Sequence, residues 1–137
     1  APIGAFRIGL GWIFGGRLLL LEHTGRASGE TRYVVLETVA RPSDFEVFVA
    51  SGFGVRSQWL LNLQANPTCF VSVARVRRAP AVAEVLSTAE AERVLADYAQ
   101  RHPRAWRELH GLMAELAGTD NPTIPIVRLS LSAGAPA

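Results

Sequence analysis

The sequence predicts one mainly β domain of the α+β type, its strands closed into a small barrel or split barrel with flanking helices. Three observations predict it. Short runs rich in apolar, β-branched and aromatic residues recur six times along the chain, with the length of strands. The turns between most of them are local. No repeat, linker or low-complexity tract divides the 137 residues, a length that suits a single domain 1–137 with its own core.

Taken in order, residues 17–22 (RLLLLE) follow a glycine pair and form a short apolar run, which suits a buried strand better than a helix. Residues 23–30 read as a polar loop that includes His23, Gly25 and Gly29. Residues 31–40 (TRYVVLETVA) make a long strand, 41–44 a turn, and 45–50 (FEVFVA) an alternating strand that runs into the core. A second glycine loop, 51–54, leads into a helix over 57–64 that Ser57 caps and Ala65-Asn66-Pro67 ends. Strands follow at 68–73 and 77–86. Ser87-Thr88-Ala89-Glu90 is a capping box that opens a helix to about Arg101. His102-Pro103 breaks it, a second helix covers 104–117, and 124–131 is the last strand before a frayed tail at 132–137. Ahead of the first strand, residues 2–14, with Phe6, Leu10, Ile13 and Phe14, fit a short amphipathic helix packed over the domain. The same segment is compatible with weak contact with a membrane surface.

Composition bounds the function. Hydrophobic residues are 49% and charged ones 19%, a globular balance. All 14 basic residues are arginine, against 12 acidic ones. That bias fits a GC-rich genome, and it equally suits bidentate grip on phosphates and carboxylates. A net charge of +2 without a basic run or a basic aromatic stripe argues against a nucleic-acid partner. Cys69 is the only cysteine, so no internal disulfide or multi-cysteine metal site can form, and a reducing, cytoplasmic compartment is expected. Lying in an apolar run, it reads as a packed core thiol. The apolar stretch 8–14 is far short of the ~20 residues of a membrane span, and no secretory pattern brackets it.

Two loops carry the chemistry. In 24–29, glycines let backbone approach a ligand, Thr24 and Ser28 bring hydroxyls, and Arg26 and Arg32 bring charge. This is what an anion cradle requires, although an ordinary hairpin uses the same turn residues. The loop beginning Ser51-Gly52-Phe53-Gly54 has Arg56 after it and a helix start at Ser57, a second place for an anion. No Ser-His-Asp order and no metal spacing appears, and His102 and His110 are separated by the Pro103 break, so no metal is expected.

These residues resemble the deazaflavin-dependent nitroreductase family. Residues 18–21 followed by His23-Thr24-Gly25-Arg26-Ala27-Ser28-Gly29 and Arg32 are similar to its strand-then-TTGRKSG-x-x-R signature. Val49-Ala50-Ser51-Gly52 and residues 59–67 (WLLNLQANP) are similar to its VVAS-x-G and WY-x-NL-x-ANP blocks, and residues 124–129 (IPIVRL) to its closing IPV-x-x-L strand. The matches span roughly 17–131 in the right order.

The resemblance implies a six-stranded split β-barrel like those of flavin reductases and pyridoxamine oxidases, and coenzyme F-420 as cofactor. By that analogy Thr24, Gly25, Arg26, Ser28, Gly29 and Arg32 meet the phosphate and oligoglutamate tail. Ala50, Ser51, Gly52, Phe53, Gly54, Val55, Arg56 and Trp59 lie along the deazaflavin ring, while Tyr98, Trp106, His110 and Met113 wall the substrate pocket. Ala27 departs from the family lysine, Val55-Arg56-Ser57 from its small and basic pattern, and Leu60 from its aromatic. The implied activity is hydride transfer from the reduced cofactor to a quinone, nitroaromatic, enone or unsaturated acyl compound, with Ser51 polarising the acceptor. Protein groups need then only bind and orient. Two alternatives stay open: a non-catalytic binding protein for an apolar ligand or the cofactor, and a split barrel using flavin mononucleotide (FMN). A monomer or a homodimer fits each.

Overall fold

Among the described residues, six strands and three helices run in the order β1 (Leu18–Thr24), β2 (Thr31–Ser43), β3 (Glu46–Ala50), α1 (Gln58–Ala65), β4 (Thr68–Val73), β5 (Val76–Val85), α2 (Thr88–Arg101), α3 (Pro103–Ala117) and β6 (Ile126–Leu131). The computed structural model describes residues 18–51, 57–120 and 122–132. The expected helix at 2–14 and the site residues Gly52, Phe53, Gly54, Val55 and Arg56 lie outside the described residues.

The strands are antiparallel and close in the order β1-β2-β3-β6-β5-β4, with β4 pairing back onto β1. Closure leaves no open sheet edge. Side chains alternate across each strand, so the barrel wall has two apolar faces. Leu19, Leu21, Val47, Val49, Val71 and Leu129 point inward, each no more than 1% exposed. Trp59, Leu60 and Leu63 of α1 join this interior cluster. The alternate residues of β3, Phe48 and Ala50, face outward and pack against a second core under α2 and α3, formed with Val39, Leu95, Leu109 and Ile126.

Several local expectations shift for identifiable reasons. β1 runs two residues further, to Thr24, because His23 pairs with Arg32 and Thr24 with Thr31; His23 is thus a strand residue, only 5% exposed, and not part of the loop. β2 runs to Ser43, not Ala40, through register shifts after Thr38 and Ala40, and such bulges admit Pro42 in a strand. Ser57 makes no side-chain cap on α1; its hydroxyl lies 2.6 Å from that of Ser51. The Ser87–Glu90 capping box forms on α2. Pro103 begins α3 instead of only ending α2, since the first helical position needs no N–H.

Cys69 is buried at 4% exposure and its thiol donates to the Ala81 carbonyl at 3.6 Å. Burial pushes the thiol up to about 12, so little thiolate exists at neutral pH. Cys69 in the folded protein should therefore resist iodoacetamide over hours, whereas the urea-unfolded chain reacts at once; rapid labelling of the folded chain would contradict this placement.

At the middle of β2, where pairing passes from β1 to β3, both Glu37 carboxyl oxygens and the Thr38 hydroxyl are buried without a hydrogen-bond partner. Burial pushes the Glu37 carboxyl up to about 8. The folded chain thus holds this proton more tightly than the unfolded chain, and stability falls as pH rises from the ordinary carboxylate range to about 8. Thermal melts between pH 5 and 8 should show that decline, and Glu37→Gln should flatten it. A Glu37→Gln profile parallel to that of the parent chain would refute the assignment.

Candidate functional site

The hairpin between β1 and β2 is drawn tight by its own backbone. The Gly25 N–H donates to the Glu30 carbonyl at 2.8 Å and the Gly29 N–H to the Gly25 carbonyl at 2.9 Å. Gly29 has φ 74°, left-handed backbone that glycine adopts without strain. A Cβ at Gly25 would stand 2.7 Å from Ser28 Oγ and 3.4 Å from Arg32 Nε. Glycine there keeps the floor of a cleft open between the hairpin and α1. The cleft measures about 530 Å³, within the range of small-molecule sites.

Arg26 spans the cleft from hairpin to helix. Its backbone N–H and Nη1 both donate to Asn62 Oδ1, at 3.0 and 2.8 Å, and Nη2 donates to Gln58 Oε1 at 3.0 Å. Gln58 and Asn62 are four apart on α1, so they share a face. Both are neutral amides. They hold the guanidinium in place while leaving its charge uncompensated.

The same asparagine sets the state of His23. With Oδ1 occupied by two Arg26 donors, Asn62 presents Nδ2 to His23 Nδ1 at 3.2 Å. An amide nitrogen only donates, so His23 Nδ1 accepts and the neutral ring carries its proton on Nε2. Burial foremost, and then the charge of Arg32, hold the His23 pKa below its ordinary value. His23 is a fixed, neutral donor on the cleft wall. Arg32 lies 3.8 Å from Glu30 with both side chains largely exposed, a contact of little energetic weight.

Of the residues singled out from sequence, Gly25, Arg26, Ser28, Arg32 and Trp59 line this cleft, with Tyr33 and Val34 adding apolar wall. Thr24 and Gly29 belong to the hairpin behind it. Ser51 is fully buried, and its Oγ sits against Ser57, which is the hydroxyl that reaches the cleft. Ala50 packs toward the second core. Tyr98 and Met113, each 3% exposed, are members of that core, and burial followed by the charge of Glu37 pushes the Tyr98 hydroxyl up to about 12. Trp106 and His110 are half-buried, their ring centroids 5.3 Å apart and their planes tilted by 49°. None of these four lines the cleft beside Arg26. Sequence reasoning assigned no role to Asn62 or Gln58 and left His23 in a loop. The available signal was an asparagine on the leucine-bearing face of a short helix, because a buried amide must have partners.

Among the described residues no group of His, Cys, Asp or Glu could hold a metal, and no helix is long and apolar enough to cross a membrane. The sequence model of the F420H(2)-dependent quinone reductases matches residues 4–128. The chain belongs to that family. It is an oxidoreductase whose cofactor is coenzyme F-420, which answers the choice between deazaflavin and FMN. Solved structures share its fold. An F420-H2 dependent reductase (FDR-A) is 24% identical over 83% of this chain and 94% of its own, with a TM-score of 0.59. A domain-swapped dimer is 23% identical over 95% and 100%, TM-score 0.59. A putative pyridoxamine 5'-phosphate oxidase from Listeria innocua is 9% identical over 95% and 94%, TM-score 0.57. They bear out a barrel of the flavin-reductase and pyridoxamine-oxidase type. No curated protein matches the chain.

The reductase's cleft fits the family's cofactor. Its donors suit a phosphate and carboxylate tail, namely an uncompensated Arg26, a mostly exposed Arg32 and the Ser28 hydroxyl. Glycine at 25 leaves room that a Cβ would fill.

Proposed function

We propose that this reductase transfers hydride from reduced coenzyme F-420 to a small organic acceptor, a quinone first, with nitroaromatic, enone and unsaturated acyl compounds as the other classes. The observation that carries this reading is Arg26, fixed by two neutral amides with its charge unspent at the wall of a cleft. A carboxylate in place of either amide would consume that charge. When bound, the deazaflavin supplies a two-electron hydride donor.

The chain's own residues do the rest. Arg26, Arg32 and Ser28 hold the anionic tail. Trp59, Tyr33 and Val34 give apolar wall that excludes water. His23 offers its Nε2–H, and Ser57 a hydroxyl positioned by the buried Ser51. Ser51 therefore acts through Ser57 in polarising the acceptor. Trp106 and His110, with Tyr98 and Met113 beside them, lie on the far side of β3 and line no wall of this cleft, so they act by seating α3 on the barrel. Holding an acceptor in place of a chance encounter is worth up to ~7–11 kcal/mol in favourable cases. The single buried thiol supports a reducing cytoplasmic setting, and the barrel supports action as a monomer or homodimer.

Fluorescence titration of the purified chain with oxidised coenzyme F-420, beside FMN, tests the first half. Quenching should saturate with the deazaflavin and be far weaker with FMN. Oxidation of the reduced cofactor on adding menadione tests the second half. Equal affinity for FMN would overturn the cofactor placement, and tight cofactor binding without oxidation by any acceptor class would leave a carrier instead of an enzyme.

A further inference from the structure

A second cleft lies on another part of the barrel, between the β2–β3 hairpin and α2, and shares no lining residue with the first. It measures about 450 Å³. Ala40, Pro42, Phe48 and Val94 supply an apolar floor, and Arg41, Arg93 and Arg101 reach it with Asp97 as the one carboxylate. Residues 93, 97 and 101 are spaced by four on α2, so they form one row along the helix. Asp97 is committed to Arg101 at 2.8 Å. Arg93 has no ion pair among the described residues.

Arg41 is the telling member. Its Nε is buried and has no hydrogen-bond partner. A guanidinium N–H withdrawn from water without a partner is costly, and the cost is higher beside two further arginines. The nearest acid on its own strand does not relieve it, because Glu37 makes no bond to it and burial holds that carboxyl protonated. Two other arginines on the barrel wall meet carboxylates instead, Arg78 with Glu22 and Arg128 with Glu84. An oxyanion in this groove would give the Arg41 Nε–H its missing acceptor and balance the excess charge, while an attached apolar group would cover Phe48 and Val94.

We propose that this groove is a second ligand site, separate from the cofactor cleft, for an organic anion: one phosphate or carboxylate carried on an apolar body. The anion arrives either as a free small molecule or as the head group of an acidic lipid.

Phenyl phosphate is the probe for the free form, followed through the Arg41 Nε–H signal in proton–nitrogen spectra of the full chain. The signal should shift saturably. Arg41→Gln, followed through backbone amides of α2, and the exposed Arg93→Gln should each weaken binding about tenfold, the scale of one lost charge-assisted hydrogen bond. Arg75→Gln, on the distant β4–β5 turn, should change nothing. The shift should persist in Arg26→Ala, and Arg93→Gln should leave coenzyme F-420 binding intact, so failure here is distinct from failure of the cofactor reading. Sedimentation with phosphatidylglycerol vesicles, against phosphatidylcholine, separates the sources: Arg93-dependent vesicle binding marks the lipid head group, and its absence beside saturable phenyl phosphate binding marks the free anion. A shift that never saturates and no vesicle binding overturn the site. So does an equal loss in Arg75→Gln, which would mean general surface charge.

Discussion

Asn62→Asp should weaken coenzyme F-420 binding by at least tenfold, although it exchanges one nitrogen for one oxygen. In the parent chain Arg26 donates to an amide oxygen and keeps its charge for a ligand. An aspartate would pair with it, and any anionic tail would then compete with a built-in carboxylate. The loss of a hydrogen bond to a charged group, ~1.5–3 kcal/mol, corresponds to about ten- to a hundredfold in affinity. Arg26→Ala should lose a similar amount, and the two losses should not add, because both remove the same free charge. The substitution carries a second signature. An acidic group at 62 would favour protonation of His23, which burial now holds neutral. The His23 ring signals should titrate at lower pH in the parent chain than in the variant. Unchanged cofactor affinity in both Asn62→Asp and Arg26→Ala would remove Arg26 from the site, and a parent His23 that titrates normally would break the hydrogen-bond assignment. Added salt should shrink the Arg26 contribution, since the hairpin is exposed.

The second large effect is on stability. Met113→Ala should cost ~2–5 kcal/mol, the range for emptying a buried aliphatic site. Met113 is 3% exposed and packs with Leu95, Tyr98, Leu109 and Ile126. Cofactor affinity of the folded variant should stay near that of the parent, because no residue of α2 or α3 lines the cleft. Trp106→Ala gives the contrast. Its ring is half-buried at the margin of the same cluster, so its melting temperature should drop less, and the Michaelis constant for the acceptor should stay near that of the parent because the ring lines no wall of the cleft. Denaturant melts beside steady-state kinetics separate the two. A small loss in Met113→Ala would mean that α3 is loosely seated, and a raised Michaelis constant in Trp106→Ala would put that ring in the acceptor path after all.

Much of this was legible in the chain because it depends on local chemistry. Alternation and β-branched runs placed all six strands, since a half-buried strand must repeat every two residues. The Ser87 capping box and the Pro103 break placed two helices within a residue of where they fall, since backbone donors at a helix start must be satisfied nearby. The glycines and arginines of the first hairpin marked a place suited to an anion, since glycine spacing and charge are written in the sequence. The family block containing Asn62 was equally visible.

What Asn62 does was not. Its partners Arg26 and His23 lie 36 and 39 residues away, and only closure of the barrel brings α1 onto the first hairpin. The same holds for Ser57, read from sequence as a helix cap but engaged with Ser51 once both are buried. It holds for Tyr98 and Met113, whose helical stripe signals an apolar face without saying what it meets. The sequence by itself determined the class of fold, the order of its elements and the hairpin where charge and glycine coincide. Tertiary structure alone decided which polar groups were stripped of water. That decision turned an asparagine into the group that orients an arginine and fixes a histidine's proton, because a buried polar atom takes its role from whichever partner the fold brings within reach.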